Sequence, residues 1–132
     1  MNSFSGKSQE RLSTCHPDLQ KLFNEVIKHY DCTVVCGHRG KDKQDEAVRT
    51  GQSKLAWPHS KHNSLPSKAV DVVPFPVDWS DMSRFYHFGG FVLAVAKHLG
   101  IKIRWGGDWN GNLQFRDEKF KDLPHFELVE EK

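Results

Sequence analysis

An aspartate inside an apolar stretch and two histidines near strand ends are the residues of this 132-residue chain best suited to chemistry. Asp71 lies within the apolar run 69–73, where an ionised carboxylate is costly unless a cation or several donors meet it. His62 lies in the loop just before that run, and His125 begins the last apolar stretch. Two neutral imidazoles and one carboxylate are ligands that zinc accepts, and they leave a fourth position for water. The set therefore predicts a zinc site that activates water for hydrolysis.

Other readings of these residues stay open at this point. His59 forms a His-x-x-His pair with His62 and is an alternative or additional ligand. Asp71 would also be satisfied by an arginine or a lysine, or by a place at a strand end. The remaining histidines are interpreted as surface or capping residues: His16, His29, His38, His87 and His98.

Three short motifs resemble those of the M15 zinc peptidases. They are Ser60-Lys61-His62, Ala69-Val70-Asp71 and Asp122-Leu123-Pro124-His125, and together with Arg39 they extend the resemblance over about residues 35–129. This family includes D-alanyl-D-alanine carboxypeptidases and phage endolysins that cut L-alanyl-D-glutamate bonds in peptidoglycan. The linker NSLPSKAV is two residues longer than the usual one and lacks its glycine, and in this it looks similar to the phage-type branch.

The resemblance implies a role for each matching residue. His62, Asp71 and His125 are similar to the family's zinc ligands. Asp122 is similar to the general base that takes a proton from the attacking water and later gives it to the leaving amine. Arg39 is similar to the cationic residue that steadies the oxyanion of the tetrahedral intermediate.

Two further residues are candidates for supporting the site. Glu127 lies two positions after His125 on a predicted strand and so points to the same side. It is a candidate acceptor for an imidazole N–H or, as the alternative to Asp122, the base itself, and we prefer Asp122. Ser60 is expected to orient the loop or a ligand.

Apolar spacing and turn residues predict the elements that must position these side chains. Helices are expected at 16–30, 42–50 and 82–100, where apolar residues recur at helical spacing or a glycine follows the segment. Strands are expected at 32–36, 69–73, 101–105, 113–117 and 124–130. Helices and strands alternate irregularly and two strand connections are short, which favours an α+β fold with a small, mainly antiparallel sheet packed on helices. The zinc site would lie at the sheet, as the resemblance to M15 and Hedgehog-like peptidases implies.

Composition limits the domain organisation and the partners. The length suits one domain over 1–132, with the polar residues 1–13 expected to be a mobile end. A formal charge of +2 is too small for a typical nucleic-acid binder, and no apolar stretch is long enough for a membrane span or an export signal. Cys32 and Cys36 are interpreted as buried, inert thiols. The tryptophans are expected to pack in the core and loops rather than form a carbohydrate platform: Trp57, Trp79, Trp105 and Trp109.

These observations and the resemblance predict a zinc-dependent peptidoglycan peptidase of the phage endolysin type. Its expected substrate is the stem peptide, most directly the L-alanyl-D-glutamate bond. The alternatives are a D-alanyl-D-alanine carboxypeptidase or dipeptidase of the same fold, and a non-catalytic zinc domain that binds the wall. We expect a monomer, made in the host cytoplasm without a signal peptide, that reaches the wall through a permeabilised membrane and takes part in host lysis.

Overall fold

A computed structural model describes residues 2–113 and 121–130. Within these ranges helices and strands are interspersed along the chain, and a 3-10 helix at Lys61–Asn63 precedes the second strand. The helices are α1 Gly6–Leu12, α2 Pro17–Val26, α3 Lys41–Arg49 and α4 Met82–Leu99. The strands are β1 Cys32–Cys36, β2 Ala69–Pro74, β3 Ile103–Gly106 and β4 Asp122–Leu128.

The four strands form one antiparallel sheet in the order β1-β2-β4-β3. The prediction of an α+β fold with a small antiparallel sheet is thus confirmed. In the register of the two inner strands Asp71 lies directly opposite His125. Because directly opposed residues project from the same face of a sheet, this pairing places both side chains on one side.

The core lies between the sheet and the helices α2 and α4. Phe126 of β4 is fully buried, with its ring 5.4 Å from that of Phe23 and stacked at 6.5 Å on the indole of Trp105. The same indole explains a glycine inside α4, since a Cβ at Gly89 would lie 2.3 Å from the ring of Trp105. Large side chains from helices and strands therefore hold β4, and with it His125, in a fixed position.

The structure differs from the expectation of a mobile end at residues 1–13. Residues 6–12 form α1, and Leu12 is completely buried. The Ser8 hydroxyl accepts a hydrogen bond from Val34 N at 3.1 Å, and Arg11 Nη1 donates to Val34 O at 3.1 Å. Side chains of α1 thereby satisfy backbone groups on the free edge of β1, which an edge strand otherwise exposes.

The last two strands also differ from their predicted bounds. β3 begins at residue 103 instead of 101, and β4 begins at Asp122 instead of residue 124. The earlier start of β4 depends on Gly106 of β3. Gly106 pairs with Asp122 beyond a shift in the register between Trp105 and Gly106. A Cβ at Gly106 would lie 1.9 Å from the backbone oxygen of Asp122, so only glycine allows this approach.

Two findings complete the comparison with the predicted elements. Of the strand expected at 113–117, residues 114–117 lie outside the described residues. Among the helices that the structure describes, none is both long enough and apolar enough to cross a membrane.

Candidate metal centre

Three side chains from distant parts of the sequence converge at the sheet. His62 Nε2 lies 3.4 Å from Asp71 Oδ1, His125 Nδ1 lies 3.3 Å from the same oxygen, and the two nitrogens are 3.3 Å apart. All three predicted ligands are therefore brought together. His59 is exposed and belongs to no cluster of potential ligands in the described part of the chain, so the structure does not join it to this group.

The spacing of the three atoms fits a tetrahedral zinc ion. Ligand atoms at about 2.0–2.1 Å from zinc lie about 3.3–3.4 Å from one another when the geometry is tetrahedral. The three observed separations have these values. The triangle thus matches one face of a zinc coordination tetrahedron and leaves the fourth corner for water or substrate.

Hydrogen bonds on the outer sides of both imidazoles fix which nitrogen faces the centre. His62 Nδ1 lies 2.8 Å from Gly37 O, a backbone acceptor, so this nitrogen carries the proton. His125 Nε2 lies 2.8 Å from Glu127 Oε1, which likewise requires a proton on that nitrogen. The opposite nitrogens, Nε2 of His62 and Nδ1 of His125, face Asp71, and once they lose their protons their lone pairs are available to a metal ion.

Asp71 presents one oxygen to this centre and the other to a cation. Its Oδ1 is buried and accepts no hydrogen bond of good geometry from the described residues, although both imidazoles are close. Its Oδ2 lies 3.4 Å from Arg39 Nη2, in an ion pair whose two side chains are largely buried. A buried carboxylate oxygen without a donor is expensive, and a cation at the centre of the triangle would satisfy it.

The pKa values reflect this concentration of negative charge. Burial lowers the pKa of His62, but the neighbouring Asp71 carboxylate outweighs it and raises the pKa to about 10. For His125 burial is likewise outweighed by the nearby carboxylates of Asp71 and Glu127, and its pKa rises to about 8. The pKa of Asp71 is lowered, since the two imidazoles outweigh its burial. The centre therefore attracts positive charge.

Side-chain hydrogen bonds stabilise the start of the 3-10 helix that carries His62. Ser60 Oγ accepts a hydrogen bond from His62 N at 3.2 Å, and Ser60 N donates to Asn63 Oδ1 at 3.0 Å. The backbone N–H of Asn63 is also directed to the Ser60 side chain, so Ser60 and Asn63 form a capping box. Arg39 N also donates to His62 O at 2.8 Å. Ser60 is thus placed to orient the loop. Within the described residues it forms no hydrogen bond with the three ligand atoms.

Gln44, which the sequence analysis did not single out, joins Arg39 to this loop. It is completely buried on α3, and its Oε1 accepts from Arg39 Nη1 and Asn63 Nδ2, both at 3.1 Å. Its Nε2 donates to Leu55 O at 2.6 Å and to Ser53 Oγ at 2.9 Å. The signal in the sequence was weak, because Gln44 shares the buried side of α3 with Ala47 but is polar itself.

Asp122, the predicted base, lies at the edge of the centre. Its Oδ2 is 4.0 Å from His125 Nδ1, and its side chain is more exposed than those of the three ligands. Burial and the nearby negative charge of Asp71 raise the pKa of Asp122 to about 6. A carboxylate in this position has the proton affinity that a general base near neutral pH needs.

Cys36 differs from the expectation of a buried, inert thiol. It lies opposite Asp71 in the sheet, with Sγ 4.0 Å from His62 Nδ1 and 3.8 Å from Arg39 Nη2. Burial raises the pKa of the thiol, but hydrogen bonding to His62 outweighs it and the net shift is downward. Cys36, His62 and Asp71 thus bring potential ligand atoms within 4.8 Å of one another, beside the triangle. Cys32 is buried as expected, and burial raises its pKa to about 12.

The metal centre lies where two arms of an open cleft meet. One arm is a cavity of about 680 Å³ that we call the apolar arm after Trp79, Met82 and Leu123, although six charged residues also line it. The other, a cavity of about 380 Å³ that we call the polar arm, has His62, His125 and Trp109 in its lining. Arg39 and Asp122 line both arms, so the cleft runs past the predicted catalytic groups in either direction.

The four tryptophans do not all pack in the core. Trp105 is a buried core residue, as expected. Trp57 and Trp79 are exposed at 41% and 59%, and Trp79 stacks on Phe85 at the cleft. The ring of Trp109 lies 5.3 Å from that of His125. The expectation of packing therefore holds for the core residue, whereas Trp79 and Trp109 line the cleft.

Comparisons with known proteins identify the family of the chain. The model of the family described as phage L-alanyl-D-glutamate peptidase matches residues 1–129. The L-alanyl-D-glutamate peptidase of Escherichia phage T5 is 33% identical over 134 residues, which cover 96% of this chain and 97% of that protein. The crystal structure of the Serratia marcescens L-Ala D-Glu endopeptidase ChiX superposes with a TM-score of 0.75 at 32% identity, covering 97% of this chain and 90% of the other.

Proposed function

The chain belongs to the phage L-alanyl-D-glutamate peptidase family, and from this premise we propose that it is a zinc-dependent endopeptidase that hydrolyses the L-alanyl-D-glutamate amide bond of peptidoglycan stem peptides. The observation that supports zinc dependence is the triangle formed by His62 Nε2, Asp71 Oδ1 and His125 Nδ1. These three atoms lie 3.3–3.4 Å from one another. These three residues would hold the ion. Zinc bound there supplies Lewis acidity, which polarises the scissile carbonyl and lowers the pKa of water.

Asp122 is proposed to move the proton. Its Oδ2 lies 4.0 Å from His125 Nδ1 and the residue lines both arms of the cleft, so it can reach a water molecule and the scissile bond. It accepts a proton from the attacking water as the C–O bond forms. It then donates that proton to the leaving nitrogen of the glutamate as the C–N bond breaks, which returns Asp122 to its starting state.

Arg39 is proposed to stabilise the negative charge that develops on the carbonyl oxygen. Its guanidinium is held by Gln44 and Asp71, so its direction is fixed before substrate arrives. Preorganised donors of this kind act without a reorganisation cost at the moment of reaction. Glu127 is proposed to hold His125 in the tautomer that presents Nδ1, which favours it as a positioning residue over the role of base.

Digestion of purified peptidoglycan tests the proposal directly. The protein is incubated with the wall material, with and without a chelator and with zinc restored, and new ends are identified by mass spectrometry. We expect new N-terminal glutamate, its loss on chelation and its return with zinc. Release of free D-alanine would instead indicate a carboxypeptidase. Absence of any cleavage under every metal condition would contradict the enzyme function.

The proposal also covers the domain organisation, the oligomeric state and the localisation of the protein. We propose one peptidase domain over the whole chain, which the family match over residues 1–129 supports. We also propose that the protein is a monomer made in the cytoplasm of a phage host, and that it acts on the wall once the membrane is permeabilised. Sedimentation and fractionation of infected cells before and after lysis test these two points.

A further inference from the structure

Arg104 lies on the same face of the sheet as the metal centre. In the register of β3 and β4 it is directly opposite Glu127, and Glu127 is two residues from His125. Opposed residues on adjacent strands, and alternate residues along one strand, project from the same face. The side chain of Arg104 therefore begins next to the Glu127–His125 pair and extends into the polar arm, whose lining includes it.

The guanidinium of Arg104 has no ion-pair partner in the described part of the chain. Glu127, the carboxylate opposite, is engaged by His125 at 2.8 Å and by Lys61 at 3.3 Å. Arg104 is exposed and forms no ion pair with residues 2–113 or 121–130. By contrast, Arg39 is held by Asp71 and Gln44. Within the described residues Arg104 is thus a guanidinium without an acidic partner, whereas Arg39 and Lys61 each have one.

The two arms of the cleft differ in their charge. Among the described residues, the polar arm is lined by four fixed cations and two carboxylates, whereas the apolar arm has three of each. The excess of positive charge in the polar arm favours an anionic group. In the bond proposed for cleavage, the residue on the leaving side is a glutamate, which carries a free carboxylate on the carbon bonded to the leaving nitrogen. The alanine side brings no such charge.

We propose that Arg104 binds this carboxylate, so that the polar arm accepts the glutamate half of the substrate and the apolar arm accepts the alanine half. The inference rests on the proposed function. Asp122 lines both arms, so it can reach the leaving nitrogen while the adjacent carboxylate lies in the polar arm, where Arg104 and the excess of positive charge are found. A guanidinium is suited to this contact because its planar donors can bind both carboxylate oxygens.

Two matched substrates separate this contact from a general effect of charge. One is a muramyl tripeptide with D-glutamate in second position, and the other carries D-isoglutamine, in which the same carboxylate is an amide. The wild type should cleave the first with the higher kcat/KM. R104Q should lower kcat/KM for the carboxylate substrate by about 10- to 100-fold, mainly through KM, and change that for the amide less than about twofold. R104K should recover part of the loss.

The outcomes distinguish this inference from the function on which it rests. K97Q, which removes one exposed cation of α4 away from the cleft, should leave both rates unchanged. If R104Q lowers both rates equally or changes neither, or if the wild type cleaves both substrates equally well, Arg104 does not bind the carboxylate, while the endopeptidase function stands. If the wild type cleaves neither tripeptide at the alanyl-glutamate bond, the proposed function itself fails.

Discussion

The metal centre combines a pair held by strands with a pair held by loops. Asp71 and His125 are register partners on the two inner strands, so the backbone ladder sets the distance between their Cα atoms. His62 and Arg39 come from a 3-10 helix and from the segment after β1, and side-chain hydrogen bonds through Ser60, Asn63 and Gln44 hold them. The strand pair is therefore the more rigid half, and the loop pair depends on a network that single substitutions can weaken.

Replacing Asp71 should have the largest effect, since it removes the one charged ligand from the strand pair. D71N keeps the size of the side chain but loses the anionic oxygen. We expect zinc affinity to fall by at least about 10³-fold and peptidase activity to become undetectable. Zinc titration and a cleavage assay measure both. D78N, an exposed aspartate away from the centre, is the matched control, and zinc binding by D71N at the wild-type level would contradict the ligand assignment.

Replacing Asp122 should separate proton transfer from metal binding. D122N leaves all three ligands in place and removes the proposed base, so kcat should fall by about 10²- to 10⁴-fold while zinc is retained at one per chain. Elemental analysis and steady-state kinetics check the two parts. Retention of kcat within a few-fold would exclude Asp122, and the same measurement on Glu127 variants would then test the alternative base.

Replacing Gln44 tests whether the loop pair depends on the hydrogen-bond network. Q44L leaves Arg39, Asn63 and Leu55 O without their buried partner, which should lower stability by about 1–3 kcal/mol. We expect kcat/KM to fall by about tenfold at a temperature where the variant is folded. The same replacement at exposed Gln9 of α1 is the control. An unchanged kcat/KM in folded Q44L would show that the loop pair needs no such support.

Replacing Glu127 should have the smallest effect. In E127Q the amide oxygen can still accept the proton of His125 Nε2, but the negative charge that strengthens this bond is lost. We expect zinc affinity to fall by about tenfold with kcat nearly unchanged at saturating zinc. E130Q, an exposed glutamate paired with Lys68, should change neither quantity. A loss of kcat as large as that of D122N would return Glu127 to the role of base.

The sequence was informative where a local pattern sets the structure. Asp71 in an apolar run and His125 at the start of another were enough to place two ligands on strands. Contacts between distant segments could not be predicted from the sequence. Gln44 on α3, the edge of β1 covered by α1, and the close approach of Gly106 to Asp122 depend on tertiary packing that no local spacing encodes. Cys36 was misread for the same reason, since its neighbours His62 and Arg39 lie outside its own strand.

The most direct test of the central claim is a crystal structure of the zinc-loaded protein, with anomalous scattering recorded on both sides of the zinc absorption edge. One zinc peak should lie about 2.0–2.2 Å from His62 Nε2, Asp71 Oδ1 and His125 Nδ1, with a fourth position open to the cleft. A peak bound instead by His59 or Cys36, or no zinc between these three side chains in active protein, would contradict it.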